Sequence, residues 1–556
     1  MKHFKFLFFL LLLTIATSAQ TSEQHLRKHV EYLASDKLEG RRTGEPGAVD
    51  AAKYIEKEFA KYKLKPGQQL THGATYTQGF PYIAGVELGK GNSLVIGEKK
   101  LEVGVNWMPL GYSMNADFPA TGVVFAGFGI IAPEANYDDY KGLDVKDKIV
   151  LVFDSTPDAG NPHSPFVRFN IHTKANIAKD KGAKAIILIA EDPDFKNDRL
   201  SKLSYDRTLG ETAIPVAGIT RTVGAQLLDL SDAETLRGVE DFLSTTRDKS
   251  TPGNLQQNDP AAKGANRPVG NTEVRPSASV AVKIDLVKKQ VTASNVIGIL
   301  PGTDPQLKDE AIVIGAHYDH LGHGGSGSLA ANSTDIHHGA DDNASGTSAV
   351  LELARNFAKE KKNKRTLIFM AFSGEEEGLL GSKFYVNNAA YPLDKTIAMI
   401  NLDMVGRLNG NKLTVGGVGT AAEWNEAVKR RNDIMFDNDS GYGVGKKFQL
   451  QLNEDGFGPS DHSSFYGKNI PVLFFFTGTH NDYHKPSDTF EKINYEGLTR
   501  IVDYVGQIAK AIDENPTKPT YAVAKSSGQM GQVRMSVSLG TIPNYADSTD
   551  GMIIDG

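Results

Sequence analysis

The chain has 556 residues, 40% of them hydrophobic and 23% charged, with a formal net charge of -6. That length exceeds what one hydrophobic core normally serves, so two or three domains are expected. The small negative charge and the lack of a lysine/arginine stripe argue against a nucleic-acid partner. The absence of cysteine excludes disulfides, thiolate metal sites and a cysteine nucleophile.

Lys2 and Lys5, an apolar run over 6–15, and the small residues Ala16, Thr17, Ser18 and Ala19 form the pattern of a cleavable signal peptide over residues 1–19. The run is too short for the ~20 residues that span a bilayer, and no cysteine follows it to carry a lipid. The expectation is a secreted or periplasmic protein with no stable membrane span. Residues 23–64 read as two helices, with Leu26, Val30 and Leu33 on one stripe and Ala52, Ile55, Phe59 and Tyr62 on the other. Glycine and proline make the segment between them, 40–47, a loop.

From about 110 to 250 short β-branched runs dominate, at 122–125, 148–153 and 185–189. They indicate a small mixed or β-rich domain, inserted over 110–280 between residues 20–109 and 281–515. Residues 249–277, rich in Pro, Gly, Asn and Gln, read as a linker. From 290 onward apolar strands near 311–314, 366–370, 397–400 and 471–476 alternate with helical stretches at 348–359 and 498–512. This is the pattern of an α/β fold with a mixed, mostly parallel sheet flanked by helices.

Five segments place a histidine or carboxylate just past an apolar run. His317 follows the first of these strands, Glu375 and Glu376 the second, Asp403 the third, and His484 lies on the loop after the fourth; Asp342 precedes a helix. Ligands in open α/β sheets bind beyond the carboxyl ends of the strands, and adjacent strands are about 4.8 Å apart. Taken singly, each residue reads as a surface histidine, a helix cap or a loop acid. Taken together, so much buried negative charge without cations would cost several kcal/mol per group. The joint pattern is that of a two-metal hydrolase. HExxH, GxSxG and P-loop motifs are absent. Residues 322–327 satisfy GxGxxG without a following amphipathic helix and read as a flexible loop near the site; His337 and His338 read as a solvated loop.

In these residues the chain resembles the M28 family of dizinc peptidases, over about 23–108 and 285–515. The resemblance implies two Zn2+ per chain, with His317 and Asp403 on one ion, Glu376 and His484 on the other, and Asp342 bridging. It makes Glu375 the general acid/base and has Asp319 and Asp488 orient the two histidines. It implies peptide substrates and an exported aminopeptidase. A carboxypeptidase, a glutaminyl-cyclase-like enzyme and a non-catalytic relative stay open, as does the oligomeric state. His462, Tyr483 and His320 are all candidates to stabilise an oxyanion. The insert is similar to a protease-associated (PA) domain through 142–152 and 181–187. The tail over 516–556 looks like the opening strands of a PDZ-like domain, too short to bury a core.

Overall fold

The computed structural model describes residues 17–159, 161, 164–205, 210–245, 279–325, 327–330, 333–436 and 447–524. The expected signal segment up to residue 16, the linker 249–277 and the tail from 525 lie outside them. The chain divides into two compact units, residues 1–82 with 291–556, and residues 83–290.

The first unit is built on a nine-stranded sheet. Its strands include β1 (Leu286–Leu300), β2 (Ala311–His317), β3 (Thr366–Phe372), β4 (Thr396–Leu402), β5 (Lys412–Gly416), β6 (Gln449–Leu452) and β7 (Val472–Phe476), in the spatial order β1-β3-β2-β4-β7-β5-β6. The central four, β3, β2, β4 and β7, run parallel. Every residue of β2, β3 and β4 is buried, as continuous apolar runs must be when both faces of a parallel sheet are covered. β1 closes one side antiparallel to β3, and β5 pairs antiparallel with β7 on the other.

One face is covered by α1 (Thr17–Leu33), α2 (Pro46–Lys61), α3 (Gly346–Glu360) and α4 (Tyr495–Glu514). The expected stripes supply that core: Leu26, Val30 and Leu33 from α1, Ala52, Ile55 and Phe59 from α2, and Leu498, Ile501, Val502, Val505, Ile508 and Ile512 from α4 are buried. Proline at the first position of α2 loses no intrahelical hydrogen bond there. The opposite face carries a second core, where Tyr385 and Phe465 pack against Ile297, Val313, Ile368 and Met370. No helix among the described residues is long and apolar enough to cross a membrane.

The second unit holds four parallel strands, Val123–Phe125, Ile149–Phe153, Ala185–Ile189 and Val216–Ile219, edged by the antiparallel Trp107–Pro109. A four-stranded antiparallel sheet joins Ser93–Ile96 and Lys99–Leu101 to Val280–Ile284 and Ala116–Thr121. These pairings draw residues 83–109 into the unit, which therefore starts at 83 rather than 110. The reason is non-local: the entering strands find their partners across almost the whole insert, at 216–219 and 280–284.

The segment between α1 and α2 is more than a linker. Arg41 is fully buried, and its guanidinium donates to the backbone carbonyls of Leu33, Tyr318, His338 and Gly339. It thus ties the helical layer to the loops beyond β2 and before α3. Burial pulls its pKa down to about 10, against the pull of Asp319, Asp342, Asp488 and Glu376, so it remains a cation at neutral pH. Arg41→Met removes that charge and strands several buried carbonyls. We expect a loss of about 3–5 kcal/mol, the range for breaking a buried ionic cluster, read by urea denaturation of the metal-free protein. An unchanged midpoint would contradict this account of the loop.

Candidate metal centre

The carboxyl ends of the parallel strands gather the predicted residues. His317 is the last residue of β2, Glu375 and Glu376 follow β3, and Asp403 follows β4. Asp342 lies in the turn Ala340–Ser345 that leads into α3, and His484 on the loop after β7. All six line one cleft, with Met404, Pro459, Phe474, Phe476, Thr479 and Tyr483 as its other walls.

Asp342 stands in the middle. Its Oδ1 is 3.3 Å from His317 Nε2 and its Oδ2 is 3.1 Å from His484 Nε2. Asp403 Oδ1 lies 3.3 Å from His317 Nε2, and Glu376 Oε2 lies 3.1 Å from His484 Nε2. Two donor groups therefore adjoin and share one carboxylate. Both imidazoles are aimed by backbone carbonyls: His317 Nδ1 donates to Asp319 O at 3.2 Å and His484 Nδ1 to Gly327 O at 2.7 Å. Each thereby presents Nε2 to the acids, the tautomer a metal ligand needs.

The electrostatics follow from burial and proximity. Burial opposes charge on His317, yet Asp403 and Glu375 hold it well above the ordinary histidine value. Glu376 and Asp342 do the same for His484. Burial raises Glu375 far above the usual glutamate range, helped by Asp403 and Glu376 and opposed by His317. Its neighbour Glu376 is held at about 2, because His484 and the bond from His320 overcome burial. The acids that keep a proton on each Nε2 are the acids that would hold a metal ion there, since both are cations competing for one place.

The donor set fits zinc. Each group offers one imidazole nitrogen and carboxylate oxygens, without sulfur, and three protein donors leave a fourth position open. The ligating atoms of His317, Asp342 and Asp403 lie within 4.8 Å of one another, and those of His320, Asp342 and Glu376 form a second such group.

The supporting acids differ from expectation. Asp319 reaches His317 through its backbone carbonyl, its carboxylate standing 3.8 Å from Nδ1. That carboxylate accepts from Thr43 Oγ1 at 2.8 Å and from the Glu375 amide at 3.3 Å. Asp488 Oδ2 accepts from the amides of Asp341 and Asp342, and its Oδ1 from Arg407 Nη2 at 2.8 Å. It fixes the turn that carries the shared carboxylate. Ser460, which the sequence did not single out, donates to Asp403 Oδ2 at 2.7 Å.

Of the three oxyanion candidates, Tyr483 lines the cleft and stacks on His484 with ring centroids 3.9 Å apart. His320 is turned to Glu376, its Nδ1 2.7 Å from Oε1. His462 is buried against Phe474, centroids 4.5 Å apart, with Nδ1 unpartnered among the described residues. The His337–His338 pair is no solvated loop: His337 is buried and bonded to Ser328 Oγ, and His338 to Asp36 and the Pro486 carbonyl. The glycine loop at 322–327 does adjoin the centre, through Gly327 O.

Residues 295–509 match the sequence profile of peptidase family M28, and residues 118–227 that of the PA domain. Over the first of these stretches the chain is similar to the M28 peptidases. The chain is similar to aminopeptidase YwaD of Bacillus subtilis, 31% identical over 225 residues, which are 38% of this chain and 43% of the relative. A probable leucine aminopeptidase of Trichophyton verrucosum is 28% identical over 254 residues, 42% of this chain and 61% of the relative. The chain thus spans about half the length of these curated relatives. The solved aminopeptidase from Aneurinibacillus sp. strain AM-1 superposes at a TM-score of 0.48 with 24% identity, covering 90% of this chain and 95% of its own. The PA match falls inside the second compact unit, between the two stretches of sequence that make up the first.

Burial alone depresses His462 to about 3. Its folded pKa lies below the ordinary 6.5, so its contribution to stability is whole above pH 6.5 and is lost as pH falls towards 3. Between pH 6.5 and 5 that loss amounts to about 2 kcal/mol. His462→Phe, which keeps the stack on Phe474, should flatten the acid limb of the metal-free protein's unfolding profile by that amount. Superimposable limbs for the two proteins would contradict it.

Proposed function

We propose that the protein is an exported zinc aminopeptidase that removes N-terminal residues from peptides, using two zinc ions and Glu375. The observation that carries this reading is the Asp342 carboxylate, one oxygen on the His317 side and one on the His484 side. A carboxylate so shared suits paired cations, with His317 and Asp403 serving one and His484 and Glu376 the other. The names of the relatives, aminopeptidases from a bacterium and a fungus, support the same activity. Residues 1–19 are read as the signal that directs export, 110–280 as the core of the PA-like insert, and 516–556 as a PDZ-like beginning.

When bound, two zinc ions supply Lewis acidity and acidify water near neutral pH. The rest falls to side chains. Glu375 lines the cleft 3.9 Å from His317 Nε2, next in sequence to Glu376 but outside both donor groups. Its amide is held by Asp319, and in this reading its carboxylate takes a proton from the attacking water and returns it to the leaving amine. Tyr483, which lines the cleft and stacks on His484, is the residue we assign to donate to the carbonyl oxygen as charge develops. Met404, Pro459, Phe474 and Phe476 form an apolar wall that suits an aliphatic or aromatic side chain.

The division of labour is testable. Glu375→Gln should lower kcat by about 10²–10⁴, the usual share of general acid/base catalysis, with zinc per chain unchanged. Glu376→Ala should lose zinc as well as rate. Equal zinc loss in both variants would contradict it. Leucyl peptides with a free amine should be cleaved and their N-acetylated forms spared; cleavage of both alike would exclude an aminopeptidase.

A further inference from the structure

His320 is the third imidazole at the centre: its ring nitrogen falls within the second donor group with Asp342 and Glu376, yet the ligand assignment proposed above gives that place to His484 and leaves His320 without a role. It follows β2 by three residues and is buried to 1%. Its Nδ1 lies 2.7 Å from Glu376 Oε1, whereas His484 Nε2 addresses the other oxygen, Oε2, at 3.1 Å. The two rings meet edge to face, centroids 5.7 Å apart. A carboxylate accepts only, so Nδ1 must be the donor. Nε2 has no partner among the described residues.

The ring is held in this orientation by its surroundings. Gly339 has φ +57° and lies directly against it; a Cβ there would stand 2.5 Å from His320 Cγ and Cδ2 and 2.2 Å from Asp342 O. Glycine is thus required twice over, for the left-handed backbone and for room beside the ring. On the chain's other side, the His320 amide donates to Arg41 O at 3.2 Å. The packing leaves the imidazole little alternative to Glu376.

We propose that His320 is a positioning residue for the second zinc ion: it occupies Glu376 Oε1 and so commits Oε2 to the metal. This rests on the two-metal reading and extends it. A glutamate with both oxygens free is able to chelate or swing away; one with an oxygen engaged by a fixed donor offers a single lone-pair direction. Partners of this kind, lying behind the ligands, typically govern metal affinity by about 10–100-fold. Asp403 has an analogous arrangement, Ser460 taking Oδ2 while Oδ1 faces His317. The two zinc sites would then each carry one carboxylate restrained to one oxygen, by a hydroxyl at the first and an imidazole at the second.

The test compares wild type, His320→Ala and His320→Asn by titrating the metal-free full chain with zinc against a chromophoric chelator. Asn places an amide nitrogen near the position of Nδ1 and restores the donor but not a ligating imidazole. Wild type should bind two zinc ions. The Ala variant should keep one at wild-type affinity and bind the other about 10–100-fold more weakly, with Asn returning most of the loss. Circular dichroism melts of the metal-free variants show whether each is folded, and the Asn variant carries the test if Ala is not. An Ala variant that binds both ions like wild type overturns the proposal, and so does Asn performing no better than Ala, which would make the ring itself a ligand. Wild type binding fewer than two zinc ions would instead sink the two-metal reading on which the proposal stands.

Discussion

The arrangement of this domain turns on one electrostatic constraint. Asp342, Glu375, Glu376 and Asp403 face one another in a cleft, and Asp319, Asp341 and Asp488 stand behind them, all buried or nearly so. Such a set repels itself in a low-dielectric interior, and each isolated charge would cost several kcal/mol. Folding tolerates it only with positive charge close by. Arg41 and Arg407 supply two permanent cations from behind, Arg41 through backbone carbonyls and the field it exerts on Asp319 and Asp342, Arg407 through its bond to Asp488. In front, the remaining charge is met at the two Nε2 atoms, where a metal ion would compete with a proton.

The scaffold explains why the cluster is reached from segments so far apart in sequence. The order β3-β2-β4-β7 puts the ends of four parallel strands side by side, and the register aligns His317 with Phe372 and Leu402 with Phe475. Side chains just beyond those points have nowhere else to go. Asp342, unlike His317, Glu375, Glu376, Asp403 and His484, is not borne after a strand, and its turn is fixed by side chains: Asp488 binds its amide and that of Asp341, while Asp341 accepts from the Gly406 amide at 2.6 Å. The backbone that carries the shared carboxylate is thus held from two sides, by Asp488 and by Asp341.

Much of this was legible in the sequence because it depends on local signals. Continuous apolar runs at 311–314, 366–370, 397–400 and 471–476 became β2, β3, β4 and β7, with His317 ending its strand and Glu375, Glu376 and Asp403 following theirs within four residues. What escaped was long-range. The family resemblance implied that Asp488 serves His484, and its hydrogen bonds run to a turn almost 150 residues upstream. Arg41 and Arg42 looked like loop residues because glycine and proline surround them; two adjacent arginines within such a loop were the signal that they have acceptors to satisfy, Arg42 with Glu377 and the Leu321 and Gly324 carbonyls. His337 looked solvated because its neighbours are polar, but those neighbours fold over it. The start of the second unit at 83 depends on strand partners that only the folded chain identifies.

Anomalous diffraction from crystals of the zinc-loaded protein at the zinc absorption edge addresses the central claim most directly. The account predicts two peaks about 3.5–4 Å apart, the separation of metals that share a catalytic cleft, on either side of the Asp342 carboxylate. A single peak, or peaks remote from Asp342, would contradict it.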